Sequence, residues 1–187
     1  YHDGFCMYDS KYSDYKITAP FSAFSAHPLS NIALHVFNAF RNEGMGIGAY
    51  YSKPDWHHPD YWWPYFPPTD RNVNYDPAKY PEKWNNFKSY VYNQIDESTK
   101  DYGPIDILWL DGGWVRPAGS LTPETQPWLG KKQWIQDIGM DSLARLARSH
   151  QPSLLIVDRT VHGPYENYLT PEQQIPDQPL PYPWESC

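Results

Sequence analysis

The sequence predicts an α/β fold, a partial (β/α)8 TIM-like barrel amounting to about half of the barrel. Three observations predict it. Short runs that are apolar throughout, such as 107–110 and 154–157, alternate with longer stretches of helical period. Strands of that kind belong to parallel sheets with covering helices. Polar and aromatic residues also crowd the end of each run, as Tyr50-Tyr51-Ser52, Asp111-Gly112-Gly113-Trp114 and Asp158-Arg159, and chemistry at strand C-termini is the habit of the barrel. A doubly wound sheet satisfies the first two observations as well. No GxGxxG or P-loop follows any strand, which weakens its nucleotide-binding version. A whole barrel takes about 250 residues. The 187 residues here show three strands, with a fourth expected to end at Tyr1-His2. Residues 1–187 are therefore read as a fragment of one barrel domain.

Each element has its own signal. Ser30 is placed to cap a helix in which Ala33, Val36, Phe37 and Phe40 recur at helical spacing, and Gly44 stands where a glycine ends it. A strand over 46–52 follows, then a Pro-, Trp- and Tyr-rich loop over 53–81. A second helix is predicted over 82–100 with Trp84, Phe87, Val91 and Ile95 as its apolar stripe. Gly103-Pro104 breaks the chain before a buried strand at 105–110. A third helix is predicted over 132–149, carrying Trp134, Ile135, Ile138, Leu143, Leu146 and Ala147, with a kink at Gly139. The strand at 154–157 closes the series.

Composition narrows the function. The net charge is −7 and no basic patch is visible, so nucleic acid is not an expected partner. The apolar runs are too short to span a bilayer. No signal-peptide pattern stands at Tyr1. Cys6 and Cys187 form no CxxC pair, which excludes a thiolate zinc site; two thiols and one disulfide are both compatible with their positions. Aromatic residues make up 17% of the chain, with nine Trp and sixteen Tyr, many beside polar groups as in 60–66. Such rings fill cores, and they also suit sugars, which present flat C–H patches rimmed by hydroxyls.

Asp111 is the leading chemical candidate. It ends an apolar strand and precedes two glycines that permit a sharp turn, so its carboxylate is held at the mouth of the expected barrel; position alone fits a structural carboxylate equally well. Asp106 lies at the opposite, structural end of the same strand. A glycosidase needs a second carboxylic acid, and Glu166, Glu172 and Glu185 of the Pro-rich tail are candidates. His57 and His58 lie near Asp55 and Asp60, but adjacent histidines on a rigid segment do not easily share one ion, so no metal is expected.

Five motifs occur together in order: Tyr1-His2-Asp3-Gly4-Phe5-Cys6, Gly48-Ala49-Tyr50-Tyr51-Ser52 with Asp55-Trp56, Asp106 to Trp114, Val157-Asp158-Arg159, and Pro183-Trp184-Glu185. In this the chain resembles the α-L-fucosidases of glycoside hydrolase family 29 along its whole length. The resemblance implies a retaining exo-glycosidase that cleaves terminal α-L-fucosyl linkages, with a fucosylated glycan as partner and no cofactor or metal. It implies Asp111 as nucleophile and His2, Tyr50 and Arg159 as sugar contacts, with Trp114 or Trp109 facing the methyl group of fucose. The family carries a His-His pair where this chain has Tyr1-His2, so only His2 carries over unchanged and Tyr1 offers a phenol instead. Thr170-Pro171-Glu172 is similar to the Thr-Ala-Glu of some members, and Glu172 stands 13 residues before Glu185 (185 − 172), which ranks Glu172 first as acid/base, Glu166 second and Glu185 third. A secreted, periplasmic or lysosomal setting is implied by the family alone. The rival reading is a carbohydrate-binding relative, or an inactive fragment, that performs no catalysis.

Overall fold

The structure, a computed structural model, describes residues 1–68, 70–120, 134–173 and 175–186. Three helices and three strands alternate: α1 (Ile32–Asn42), β1 (Gly48–Ser52), α2 (Pro81–Asp101), β2 (Ile107–Asp111), α3 (Met140–His150) and β3 (Leu155–Asp158). The strands form one parallel sheet in the order β1-β2-β3, as their apolar character predicts. Among the described residues no helix is long and apolar enough to cross a membrane.

The register sorts the sheet into two faces. Ala49, Leu108 and Ile156 are neighbours, as are Tyr51, Leu110 and Asp158, and this face is covered. Leu108, Leu110 and Ile156 pack with Phe87, Val91 and Ile95 of α2 and with Leu143 and Ala147 of α3 in the main core. The alternate residues, among them Tyr50, Trp109 and Leu155, form the other face, where Tyr50 and Leu155 are exposed. Burial of the first set supplies the main stabilising free energy, about 1.5–3 kcal/mol for each large apolar side chain fully removed from water.

The helices differ from the sequence reading in instructive ways. α1 starts one residue later than a Ser30 cap requires; Asn31 is its N-cap and makes no side-chain cap bond. Its early N–H groups find backbone partners instead, Ile32 on the Ser30 carbonyl and Ala33 on the Met7 carbonyl. Gly44 adopts φ 73° beyond the C-cap Glu43, as expected. α2 begins with Pro81 in its first turn, where the missing N–H costs nothing. The helix expected over 132–149 is shorter. Lys132 lies outside the described residues, and 134–139 is not helical. Gly139 takes a left-handed conformation and serves as the N-cap of α3, which stops the helix from extending backward. Gly139 N–H bonds to Asp137 Oδ1, and Tyr92 Oη donates to the Ile138 and Gly139 carbonyls. Ile135 is exposed while Ile138 is buried, so their apparent helical period was a coincidence of spacing.

No strand includes Tyr1-His2. The segment is a turn closed by Gly4 N–H on the Tyr1 carbonyl, and it is docked by Trp56 N–H on the His2 carbonyl at 2.7 Å. Cys6 is buried against Gln94; Cys187 lies outside the described residues. Asp106 accepts from Ile47 N–H at 2.6 Å, a structural role at the sheet's far end, as read from sequence.

The two sheet edges are unequal. The β3 edge is partly satisfied, since Asn167 Oδ1 accepts from Ile156 N–H and Asn167 N–H donates to the Ile156 carbonyl. Among the described residues no strand pairs with the outer edge of β1. Bare edges and exposed aromatics template association. The 187-residue chain produced alone is therefore expected to self-associate with concentration in sedimentation velocity; a single monomeric boundary at all concentrations would contradict this.

Candidate active site

The C-terminal ends of the three strands bring the candidate residues together. Asp111 is the last residue of β2. Its Oδ1 accepts from the Gly112 N–H at 2.7 Å, and its Oδ2 accepts from the Tyr50 hydroxyl at 2.5 Å. His2 Nε2 stands 3.5 Å from the same Oδ2. The turn after Asp111 depends on its glycines. Gly112 has φ 97°, and a Cβ there would meet Pro54 Cδ at 2.4 Å; one on Gly113 would meet Thr160 Oγ1 at 2.0 Å. Close approach of these loops to β2 is possible only without side chains.

Protonation states follow from the surroundings. Burial, followed by its bond to Asp111, holds the Tyr50 phenol above its ordinary range, so Tyr50 remains a donor. Burial lowers His2 from its usual value, against the raising pull of Asp111, so the ring favours its neutral form.

Arg159 follows β3, and its N–H donates to the Leu110 carbonyl at 2.9 Å. Its guanidinium grips both oxygens of Glu172, with Nη2 2.5 Å from Oε1 and Nε 3.1 Å from Oε2. It also lies 5.1 Å from the centre of the Trp109 ring. Trp109 stacks on Tyr50 at 5.7 Å, and exposed Tyr1 lies 5.9 Å beyond Tyr50.

His2, Asp111, Trp114, Arg159 and Glu172 line one cleft of about 510 Å³. The other two candidate glutamates stand outside its lining. The Glu166 side chain is almost wholly buried and faces His162 Nδ1 at 2.9 Å. Glu185 accepts from the Trp109 indole N–H, held there because the tail pairs Leu169 with Trp184. Trp114 is buried and donates to Tyr61 Oη, so it meets the cleft as a fixed wall. His57 and His58 diverge: one stacks on Tyr15 and the other packs on Tyr90. Among the described residues no cluster of three or more His, Cys, Asp or Glu is arranged to hold a metal ion.

Three features, one buried beneath the strand ends and two in the cleft lining, escaped the sequence reading. Lys53 and Asp158, both fully buried, form an ion pair behind Asp111. Lys53 also donates to the Val115 carbonyl, and Tyr165 Oη to Asp158 Oδ2. Burial pushes the Asp158 carboxyl up to about 6, against the opposing pull of Lys53. The second is Arg71, from the Pro-rich loop, and the third is the indole wall of Trp56 and Trp62. An apolar-looking strand end at Val157-Asp158 signals the first only in hindsight; nothing local marks Arg71.

The α-L-fucosidase sequence family matches residues 1–187. The chain belongs to that family. Alpha-L-fucosidase 1 of Arabidopsis thaliana is 26% identical over 112 residues, covering 60% of this chain and 18% of that protein. Alpha-L-fucosidase isoenzyme 1 from Paenibacillus thiaminolyticus superposes with TM-score 0.69 at 29% identity, over all of this chain and 42% of that one. The α-L-fucosidase AlfC from Lactobacillus casei, solved with its α-L-fucose product, shares the fold with TM-score 0.62 at 22% identity, over all of this chain and 53% of that one. The family member described here thus spans less than half of the first two relatives.

The buried pair generates a prediction. Replacing Lys53 by Met leaves a buried carboxylate without its cation, which costs about 3–5 kcal/mol. Asp158 then loses the Lys53 charge and hydrogen bond that lower its pKa and keeps only the Tyr165 hydrogen bond, so its folded value rises further above the unfolded value of about 3.9. A carboxyl with a raised folded value stabilises the fold at low pH, and that contribution is lost as pH rises. In a full-length protein containing this chain, the deficit of Lys53→Met in urea denaturation should be larger at pH 8 than at pH 5; equal deficits would contradict the account.

Proposed function

We propose that this chain is part of a retaining α-L-fucosidase, and that residues 1–187 contribute about half of a single (β/α) barrel domain. The observation that carries the reading is the meeting of Asp111 and Glu172 in one cleft, on top of family membership. Asp111 attacks the anomeric carbon of a terminal α-L-fucosyl unit and forms a glycosyl ester. Glu172 gives its proton to the departing glycosidic oxygen, then takes one from the water that hydrolyses the ester.

The neighbours have fitting roles. The Tyr50 hydroxyl donates to Asp111 Oδ2, which fixes the carboxylate's orientation without neutralising it. Neutral His2 and the Arg159 guanidinium offer donors to sugar hydroxyls. Tyr50 and Trp109 stack beside Asp111 with Tyr1 tilted against Tyr50, an aromatic cluster with apolar surface for the C–H face and methyl of fucose. Glu172 ranks above its rivals because Glu166 is buried on His162 and Glu185 is spent on Trp109 outside the cleft lining. The partner is a fucosylated glycan or glycoconjugate.

The test is turnover of an α-L-fucoside by the full-length protein. Asp111→Ala should lose essentially all activity. Glu172→Ala should fall by about 10²–10⁴-fold on substrates with poor leaving groups, less on activated ones, with partial rescue by azide. Rescue of Glu166→Ala or Glu185→Ala, with Glu172→Ala near wild type, would move the acid/base role. No activity in the wild type would favour the carbohydrate-binding alternative.

A further inference from the structure

One aromatic ring touches the supports of both carboxyls. Trp109 stands on β2, between β1 and β3. Toward β1 it stacks on Tyr50, with ring centres 5.7 Å apart and planes 17° apart, and Tyr50 Oη donates to Asp111 Oδ2. Toward β3 the Arg159 guanidinium lies 5.1 Å from its ring centre, and that guanidinium grips Glu172. A rotation of the indole would therefore disturb the tyrosine that orients Asp111 and the arginine that orients Glu172 together.

Trp109 is only partly buried, so packing alone does not choose its orientation. Its one polar atom does. The indole N–H donates to Glu185 Oε1, and flipping the ring would take that N–H away from its acceptor. A carboxylate accepts such a bond more strongly than a neutral oxygen does. Glu185 is itself exposed, and its backbone rather than burial holds it in place. Glu185 N–H donates to the Leu169 carbonyl at 3.0 Å, while Leu169 N–H donates to the Pro183 carbonyl at 2.9 Å. Burial, followed by the Glu185 charge, pushes the Tyr168 phenol up to about 12, so Tyr168 stays protonated beside the same carboxylate.

These contacts form one chain, from the paired tail through Glu185 and Trp109 to Tyr50 and Arg159. Resting on the assignment of Asp111 and Glu172 above, we propose that Glu185 is a positioning residue for the reaction. It acts through Trp109, by fixing the indole against which Tyr50 and Arg159 are set, and it transfers no proton itself. The tail carboxylate that the cleft excludes thereby governs the two that do the chemistry.

The test is a double-mutant cycle on the full-length protein, read as kcat/KM for 4-nitrophenyl α-L-fucoside. Glu185→Met removes the acceptor and should lower kcat/KM at least about tenfold. Glu185→Gln keeps an acceptor oxygen at the same reach and should recover most of that loss. Trp109→Phe keeps a flat ring without the indole N–H, and in that background Glu185→Met should change kcat/KM by less than about twofold. Where Trp109→Phe turns over too slowly to measure, the same cycle is read as Kd for α-L-fucose. Should Glu185→Met fail to accumulate, Glu185→Asp, one methylene shorter, takes its place. A loss of equal size in both backgrounds, or a Glu185→Met equal to wild type, overturns the positioning role while leaving the fucosidase reading intact. Restoration of Glu185→Met by azide also overturns it, because Glu185 would then be the acid/base itself. A wild-type protein that turns over no α-L-fucoside overturns the hydrolytic reading, and the positioning role falls with it.

Discussion

Lys53 leaves the end of β1, passes behind Asp111, and meets Asp158 at the end of β3. The two strands it joins are not neighbours; β2 lies between them. Burying both charges is expensive, and their attraction offsets that only where every remaining donor and acceptor is used. Here the ammonium has the Val115 carbonyl as a second partner and the carboxylate has the Tyr165 hydroxyl. The pair therefore draws in four separate segments: two strand ends, the turn after the glycines, and the loop after β3. The backbone repeats the pattern, with Lys53 N–H on the Asp111 carbonyl and Arg159 N–H on the Leu110 carbonyl. Asp111 is framed from both sides before its own side chain makes any contact.

The sheet's two faces then divide the work. On the covered face, alternate residues of β2 join α2 and α3 in the core, and apolar burial holds the strands down. On the other face the aromatic side chains Tyr50 and Trp109 stand in register beside Asp111. One period-2 alternation thus assigns Leu108 and Leu110 to the core and sets Trp109 and Asp111 on the other face. A slip of one residue in β2 would bury the carboxylate and expose two leucines, so the core that fixes the register also fixes the site.

Much of this was legible in the sequence where the signal is local. The β2 run and its Asp-Gly-Gly ending, the amphipathic stripe of α2 and the glycine closing α1 each appear within a few residues. The α3 reading failed at its start because Trp134, Ile135 and Ile138 imitate a helical period, while the conformation of Gly139 decides the boundary. The Lys53–Asp158 pair, 105 residues apart, carries no local signature, since a lysine after a strand reads as solvated. Three tail glutamates looked alike in sequence. They separate only in three dimensions, where one is buried on a histidine, one is bound to an indole, and one enters the cleft.

That last separation raises the question of how a Pro-rich loop holds the cleft carboxylate of Glu172 in place. Residues 170–173 have no regular structure, so backbone hydrogen bonds of a helix or sheet do not orient Glu172. Arg159 does so instead. Its backbone is bonded to β2 through Leu110, its guanidinium lies over Trp109, and its fork takes both Glu172 oxygens. A planar guanidinium imposes direction as well as charge on a carboxylate, which a lysine in its place would not. The rigidity of the sheet is thereby passed to the loop through one side chain. The same grip occupies both oxygens that proton transfer requires, so on the proposed mechanism the fork must release one of them when sugar hydroxyls compete for Arg159. Arg159 then links sugar binding to the readiness of the acid, while Asp111, held by strand and tyrosine, needs no such change.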